Sequence, residues 1–206
     1  LLEGSKQYQV PLYQRTYAWK TPQLVRLWDD IAQLAEDRAT HGSQITHFLG
    51  SLVLAPTPEV GPVGVSKYLV VDGQQRLTTT TLLLAAIRDH RAATESPEHR
   101  DRINEQYLVN KWKAEDERLK LLPTQADRAS YLACIEATPL AGAADPIGEA
   151  YRYFRARVAE LDDPDDPHDV QRIEEAVLSG LTLVSVTTTR DDNAHRIFES
   201  LNNTGL

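Results

Sequence analysis

A single cysteine, Cys134, stands in the 206-residue chain. It has no partner for an internal disulfide and no companions for a zinc cage, so a reducing, cytoplasmic setting is expected. Methionine is absent and position 1 is leucine, so the chain is expected to be a piece of a longer polypeptide. No apolar run exceeds the six residues Leu82–Ile87. A membrane helix needs about 20, so no membrane partner is expected, and no basic-then-apolar leader opens the chain. Positive charge is also short, with 22 basic against 30 acidic side chains and a net charge of −8. A generic nucleic-acid clamp is net basic. Residues 1–90 are balanced and the whole deficit lies in 91–206, so any DNA contact must use a local patch, most plausibly in the first part. Gly 10 and Pro 11, with 25% charged residues, are ordinary globular values and argue against disorder.

Periodicity then organises the chain. Tyr8–Leu12 alternates like a short strand, and Pro11 predicts an edge position for it. Thr21 reads as an N-cap with Pro22 in the first turn, followed by Leu24, Leu27, Trp28, Ile31, Leu34 and Ala35 at helical spacing. Phe48–Ala55 and Tyr68–Val71 read as strands joined by a long Pro/Gly-rich hairpin connection, Pro56–Ser66. A helix from about Leu77 to Arg91, apolar on all sides over Leu82–Ile87, is expected in the core. Beyond it come a charged segment at 96–113, a short strand at Leu119–Leu122, and helices around 126–137, 147–161 and 170–179. An acidic loop at 162–169, a β-branched strand at Leu181–Thr188 and a closing helix at 192–202 complete the reading. The predicted fold is α/β (α+β): one domain over 1–206, a small mixed sheet with helices in excess, and a helical insertion at about 92–180.

Three clusters carry chemistry. In Val71-Asp72-Gly73-Gln74-Gln75-Arg76-Leu77-Thr78-Thr79 a strand ends, a glycine turns and a helix begins with a cation. Free N–H groups and the positive helix end gather there, which suits a phosphate. Arg76 can grip its oxygens with a planar fork, and Gln74 and Gln75 can donate or orient water. The plainer reading is a turn with a surface arginine, but two adjacent glutamines leading into an apolar helix must find several hydrogen bonds if buried. The second cluster, Pro11 to Trp19, sets Tyr13, Gln14, Arg15, Tyr17 and Trp19 beside the first strand, where aromatic faces stack on bases and Arg reads phosphates or guanine edges. The plainer reading is an aromatic corner, which claims Trp19 more readily than Gln14 or Arg15. In the third, Phe198–Gly205, Glu199 and Asn202 share a helical face able to hold a divalent ion or a nucleotide hydroxyl, although a helix end capped by Gly205 explains it equally well. Cys134 reads as a buried apolar residue. The six histidines show no metal spacing, and only His47, just before Phe48-Leu49-Gly50-Ser51, draws notice.

Together, Val10–Trp19, Phe48–Leu54, Val71–Thr79 and Ile197–Gly205 resemble, in order, the N-terminal domain of GmrSD-type, modification-dependent restriction enzymes, a family with a DGQQR motif and a ParB/sulfiredoxin-like fold. The resemblance implies a domain that binds and hydrolyses a nucleoside triphosphate (GTP, ATP or another) with Mg2+. It also implies coupling to the sensing of modified DNA, either glucosylated hydroxymethylcytosine or, in the SspE-type branch, phosphorothioate. It implies catalytic roles for Asp72, Gln74, Gln75 and Arg76, with Asp72 holding the metal or the turn. Nucleotide or DNA contacts would come from Tyr13, Gln14, Arg15, Gly50, Ser51, Gly73, Thr78, Glu199 and Asn202. A C-terminal nuclease part, absent from this sequence, and a homo-oligomer are further expected partners. There is no P-loop, and the Asp-Gly-Gln-Gln-Arg turn lacks the cysteine that sulfiredoxin chemistry needs. A module that holds modified DNA, with nucleotide as a mere ligand, is the alternative. DNA cleavage by this domain is the weaker third reading, since no HNH pattern or Asp–Glu-x-Lys cluster is present.

The charge balance makes a direct prediction. Affinity for unmodified duplex at physiological salt should fall in the non-specific range of about 10⁻⁴ to 10⁻⁶ M. An anisotropy titration checks this, and tight, sequence-independent binding would reveal a concentrated basic patch.

Overall fold

In a computed structural model, residues 1–57, 64–95, 97–113, 115–162 and 169–188 are described. Among them β1 (Lys6–Gln9), β2 (His47–Pro56), β3 (Ser66–Asp72), β4 (Leu121–Leu122) and β5 (Leu181–Thr187) form one mixed sheet in the order β4-β1-β3-β2-β5. β1 runs parallel to both β3 and β4. β2 is antiparallel to β3, as its hairpin connection predicts, and parallel to β5. Tyr8 lies in register with Tyr68, and their rings stack with centroids 5.8 Å apart, the kind of cross-strand aromatic pair that holds neighbouring strands together.

The expected edge position of the first strand is wrong. β1 lies inside the sheet, with β4 and β5 at the edges. It starts at Lys6 and ends at Gln9; Val10 still donates its N–H to Leu122 O at 2.9 Å, and Pro11 follows only after that last bond. The proline therefore costs the ladder no donor, and the rule that confines proline to edges does not apply here. The short strand expected at Leu119–Leu122 narrows to β4, and Val109 and Leu119 form an isolated bridge beside it.

Helix α1 (Thr21–His41) buries the predicted stripe Leu24, Leu27, Trp28, Ile31, Leu34 and Ala35. Its cap is Lys20 rather than Thr21: Lys20 is extended at φ −116° and donates its N–H to the side chain of Gln23 at 3.0 Å. Helix α2 (Gln74–Thr94) is the core helix, with every side chain from Leu82 to Ile87 at most 1% exposed. It begins three residues earlier than its apolar pattern does, because its first turn is polar yet buried. Around it pack α3 (Pro97–Ile103), α4 (Arg128–Glu136), α5 (Pro146–Glu160) and α6 (Val170–Glu175). α3 and α6 each run on into a wide π-type turn, at Asn104–Leu108 and Ala176–Gly180, so the helix expected to reach 179 ends as α6 plus this turn. Asp145 caps α5 by accepting from Gly148 N at 2.9 Å. The closing helix expected at 192–202 lies outside the described residues, as does most of the acidic loop at 162–169. No described helix is long and apolar enough to cross a membrane.

The second half of α2 carries charge into the interior. Arg88 is 1% exposed. It donates to Asp89 Oδ1 at 2.8 Å, to Asn104 Oδ1 at 3.0 Å, to Cys134 O at 3.1 Å and to Ile135 O. The last two are carbonyls at the end of α4, where the helix dipole is negative and a cation is favoured. Arg91 pairs with the buried Glu174 at 2.7 Å and with Glu95 at 2.9 Å, tying α6 to α2. Arg88→Met should therefore cost about 3–5 kcal/mol, the penalty for leaving a buried partner charge uncompensated. Urea unfolding measures it, and a loss below about 1 kcal/mol would show that the α4 carbonyls find other donors.

Candidate phosphate-binding pocket

Because β1 and β3 are neighbours and parallel, the segments leaving their C-terminal ends emerge at the same end of the sheet. Ligand crevices in sheets of this kind form at that end. After β3 the chain turns at Gly73, which adopts φ +93° and caps α2 with no side-chain bond. A Cβ there would lie 2.9 Å from both Ser51 O and Leu52 Cδ1, so glycine is required by conformation and by space. The first-turn amides of α2 are thus open to an anion at the positive end of a 21-residue helix.

The segment after β1 is stitched to this turn. Gln14 donates to Val71 O at 2.7 Å, and Gln74 Nε2 donates to Gln14 Oε1 at 3.1 Å and to Arg15 O at 2.9 Å. Gln75 engages both ends of its amide: Ala18 N–H donates to Oε1 at 2.8 Å, and Nε2 donates to Thr16 O at 3.1 Å. One turn further on, Thr79 donates to Gln75 O at 2.7 Å, so the Tyr17 hydroxyl, 2.7 Å from Thr79 Oγ1, is the donor in that pair. Tyr17 N–H donates to Asp127 Oδ2 at 2.8 Å, which anchors the same segment just before α4. Burial raises the Tyr17 pKa well above its usual value, so the phenol stays a donor at any physiological pH.

Between the two segments lies a pocket of about 420 Å³, lined by Tyr13, Gln14, Arg15 and Trp19 on one side and by Asp72 to Arg76 on the other. The size falls within the 300–1,000 Å³ typical of small-molecule sites, roughly speaking. Two guanidinium groups face one carboxylate. Arg15 is exposed and makes no ion pair among the described residues. Arg76 Nη2 donates to Ser51 O at 2.6 Å and lies 3.3 Å from Asp72 Oδ2, while its buried Nε has no partner. Room for this guanidinium comes from Gly50, at φ +129° beside a register shift between β2 and β5. A Cβ there would meet Arg76 Nε at 3.1 Å, a bulge used to aim a side chain. Partial burial raises the Tyr13 pKa, which keeps this phenol protonated and donating.

The structure thus brings together Tyr13, Gln14, Arg15, Asp72, Gly73, Gln74, Gln75 and Arg76. Gly50 and Ser51 stand behind Arg76 rather than on the pocket wall. Thr78 is 3% exposed and turned into the core, away from the lining. Glu199 and Asn202 lie outside the described residues. No group of three or more His, Cys, Asp or Glu suited to a metal occurs among the described residues, so the pocket offers a cation Asp72 as its one carboxylate. Cys134 is buried, and that burial pushes its thiol up to about 11, as expected of an inert core residue. Tyr17, Thr79 and Asp127 hold the pocket wall; the first two stand in the sequence clusters without that role, and Asp127 stands in none. The available signal was the i, i+4 spacing of Gln75 and Thr79, which puts both on one helix face.

Fold and pocket define a mixed α/β domain with an anion-receptive turn at the carboxyl end of adjacent parallel strands. The family model of the GmrSD restriction endonuclease N-terminal domain matches residues 1–206, and the chain belongs to this family. That places it among the N-terminal domains of restriction enzymes. No curated protein matches it.

The double clamp by Gln75 is testable. Gln75→Ala leaves Ala18 N–H and Thr16 O without their partner, which should cost about 1–3 kcal/mol and strip hydrogen-exchange protection from the Ala18 amide. Unchanged protection would mean that Gln14, Gln74 and Tyr17 hold the segment without it.

Proposed function

We propose that this pocket binds the phosphates of a nucleoside triphosphate together with Mg2+, hydrolyses it, and couples that cycle to recognition of modified DNA within a modification-dependent restriction enzyme. The observation that carries the reading is the conjunction at one turn of an uncapped 21-residue helix, a Gly73 whose left-handed backbone and close packing against β2 set the turn, and Arg76, whose Nε is buried without a partner. Open helix amides and a guanidinium converging on one cavity are what a transferring phosphoryl group needs, since its catalysis is positioning plus charge stabilisation.

The residues divide the work. Gly73 and the amides that follow it cradle phosphate oxygens. Arg76 neutralises charge that develops on the transferred group, and Arg15 meets the outer phosphates or the DNA backbone. Mg2+ is held by one or two carboxylates, substrate oxygens and waters rather than by a full protein cage, so the lone Asp72 fits it; when bound, it supplies charge neutralisation across the phosphates. Gln75 serves the wall, since both ends of its amide are taken. Gln74 spends its Nε2 on the Gln14–Arg15 segment and keeps Oε1 to accept a hydrogen bond from an attacking water. Gln14 links the DNA-facing segment to Gln74, which gives modified DNA a route to the phosphate turn.

One observation favours the second reading, a module that binds modified DNA with nucleotide as a ligand. The pocket is lined by no histidine and by a single carboxylate, which leaves little to manage the proton of a water. Phosphate release with each nucleoside triphosphate, with and without modified and plain DNA, separates the two. Under the enzyme reading Arg76→Ala lowers turnover by more than about tenfold, the scale of a lost charge-stabilising donor, and costs only about 1 kcal/mol of stability for its bond to Ser51 O. Coupling also requires that modified DNA change nucleotide affinity by the same factor by which nucleotide changes DNA affinity. Superimposable nucleotide titrations at zero and saturating modified DNA would refute the sensor, and Gln14→Ala should shrink the factor where it exists.

A further inference from the structure

A second concavity, of about 400 Å³, adjoins the phosphate pocket. The two share Trp19 and Arg76 as a common wall. On its far side stand Phe48 from the start of β2, Gln23, Arg26 and Asp30 from α1, and His47. Its chemistry differs from that of the first. Phe48 is 60% exposed, and it sits in the same groove as the half-buried Trp19. Around these two rings the groove offers donors and acceptors. Arg26 is exposed and makes no ion pair among the described residues. Gln23 has committed its Oε1 to Lys20 N–H and retains its Nε2. Asp30 lies 3.6 Å from His47 Nε2, and both side chains remain about one-third exposed (38% and 35%).

We propose that this groove is the nucleobase subsite of the nucleotide site, an inference that rests on the phosphate-binding reading above. A nucleoside triphosphate whose phosphates lie at the α2 N-terminus extends past Arg76 and Trp19, and the groove is the adjoining space of suitable size. Two aromatic side chains provide faces for a flat heterocycle, because every base has a π-face to stack. Arg26 and Gln23 donate to base carbonyl or ring-nitrogen acceptors, and the Asp30 carboxylate accepts from exocyclic or ring N–H groups, the polar contacts that discriminate among bases. Arg76 therefore lines both compartments and stands between them. The competing occupant of such a groove is an extruded base of modified DNA. A free nucleotide is favoured because the groove is continuous with the phosphate turn through shared side chains.

The test compares ligands with and without a base. Calorimetric titrations with Mg2+ would use inorganic tripolyphosphate and the four non-hydrolysable ribonucleoside triphosphates against wild type, Phe48→Ala, Phe48→Tyr and Arg26→Ala. Exposure of Phe48 and Arg26 makes misfolding of these variants a minor concern, and the tripolyphosphate affinity doubles as a control for the folded pocket. The expected result is nucleotide affinity at least about fivefold weaker in Phe48→Ala, the lower end of a lost base-stacking contact. Phe48→Tyr should restore it, tripolyphosphate binding should be the same in all four proteins, and Arg26→Ala should alter the ranking of the four bases. Equal nucleotide affinity in wild type and Phe48→Ala, with tripolyphosphate still bound, overturns the subsite and leaves the phosphate pocket standing. A Phe48→Ala defect confined to modified duplex assigns the groove to an extruded base and overturns it as well. If wild type binds neither tripolyphosphate nor any nucleotide, the phosphate reading itself is refuted and the subsite falls with it.

Discussion

The pocket depends on one side-chain amide. Gln75 sits in the first turn of α2 and closes hydrogen bonds with two backbone groups of the segment that follows β1. Without it, the Thr16–Ala18 stretch of the wall would lose both of its backbone bonds to the α2 turn. With it, the segment and the turn are opposite walls at a fixed spacing. Gln14, Gln74 and the Tyr17–Thr79 pair add further bonds across the same join, and Asp127 anchors the segment from the other side. This accounts for the polar start of a helix that is otherwise apolar: the buried glutamines meet the hydrogen-bonding demand of their own amides by using it to hold the wall.

Much of this was legible in the residues. The periodicity of α1, the all-round apolarity of Leu82–Ile87, the hairpin of β2 and β3 and the β-branched run of β5 are local patterns, and local patterns survive into the fold. The pocket lining was legible too, in the polar and charged residues gathered at the strand–helix turn and after the first strand. What stayed hidden was long-range. Nothing in Tyr8–Leu12 tells that β4 comes back to flank it, so Pro11 reads as an edge marker when it only marks an end. Gln75 invited a catalytic reading because its two partners, Thr16 O and Ala18 N–H, are backbone groups without a residue signature. Thr78 is expected among the nucleotide contacts, but the helical pitch turns it inward.

Restriction-enzyme membership and the pocket geometry bear on each other without overlapping. Family places the chain in a kind of enzyme. Geometry says where in this domain a charged ligand can sit and which groups meet it. The acidic second half of the sequence fits that division, since Glu174 of α6 is taken up by Arg91 and Arg102, while Arg15 beside the turn makes no ion pair among the described residues.

The placement of β1 between β3 and β4 has a consequence for how the molecule is made. Tyr17 waits for Asp127, 110 residues away, and Gln7 for Leu119 O, 112 residues away. Closing chain segments of that length is entropically slow, and contacts so distant in sequence delay folding. A nascent chain that has emerged only through α2 holds both walls of the pocket but lacks the strand and the aspartate that pin the first one. The pocket therefore takes its final shape late in synthesis, after the acidic half has been translated and folded back onto the beginning.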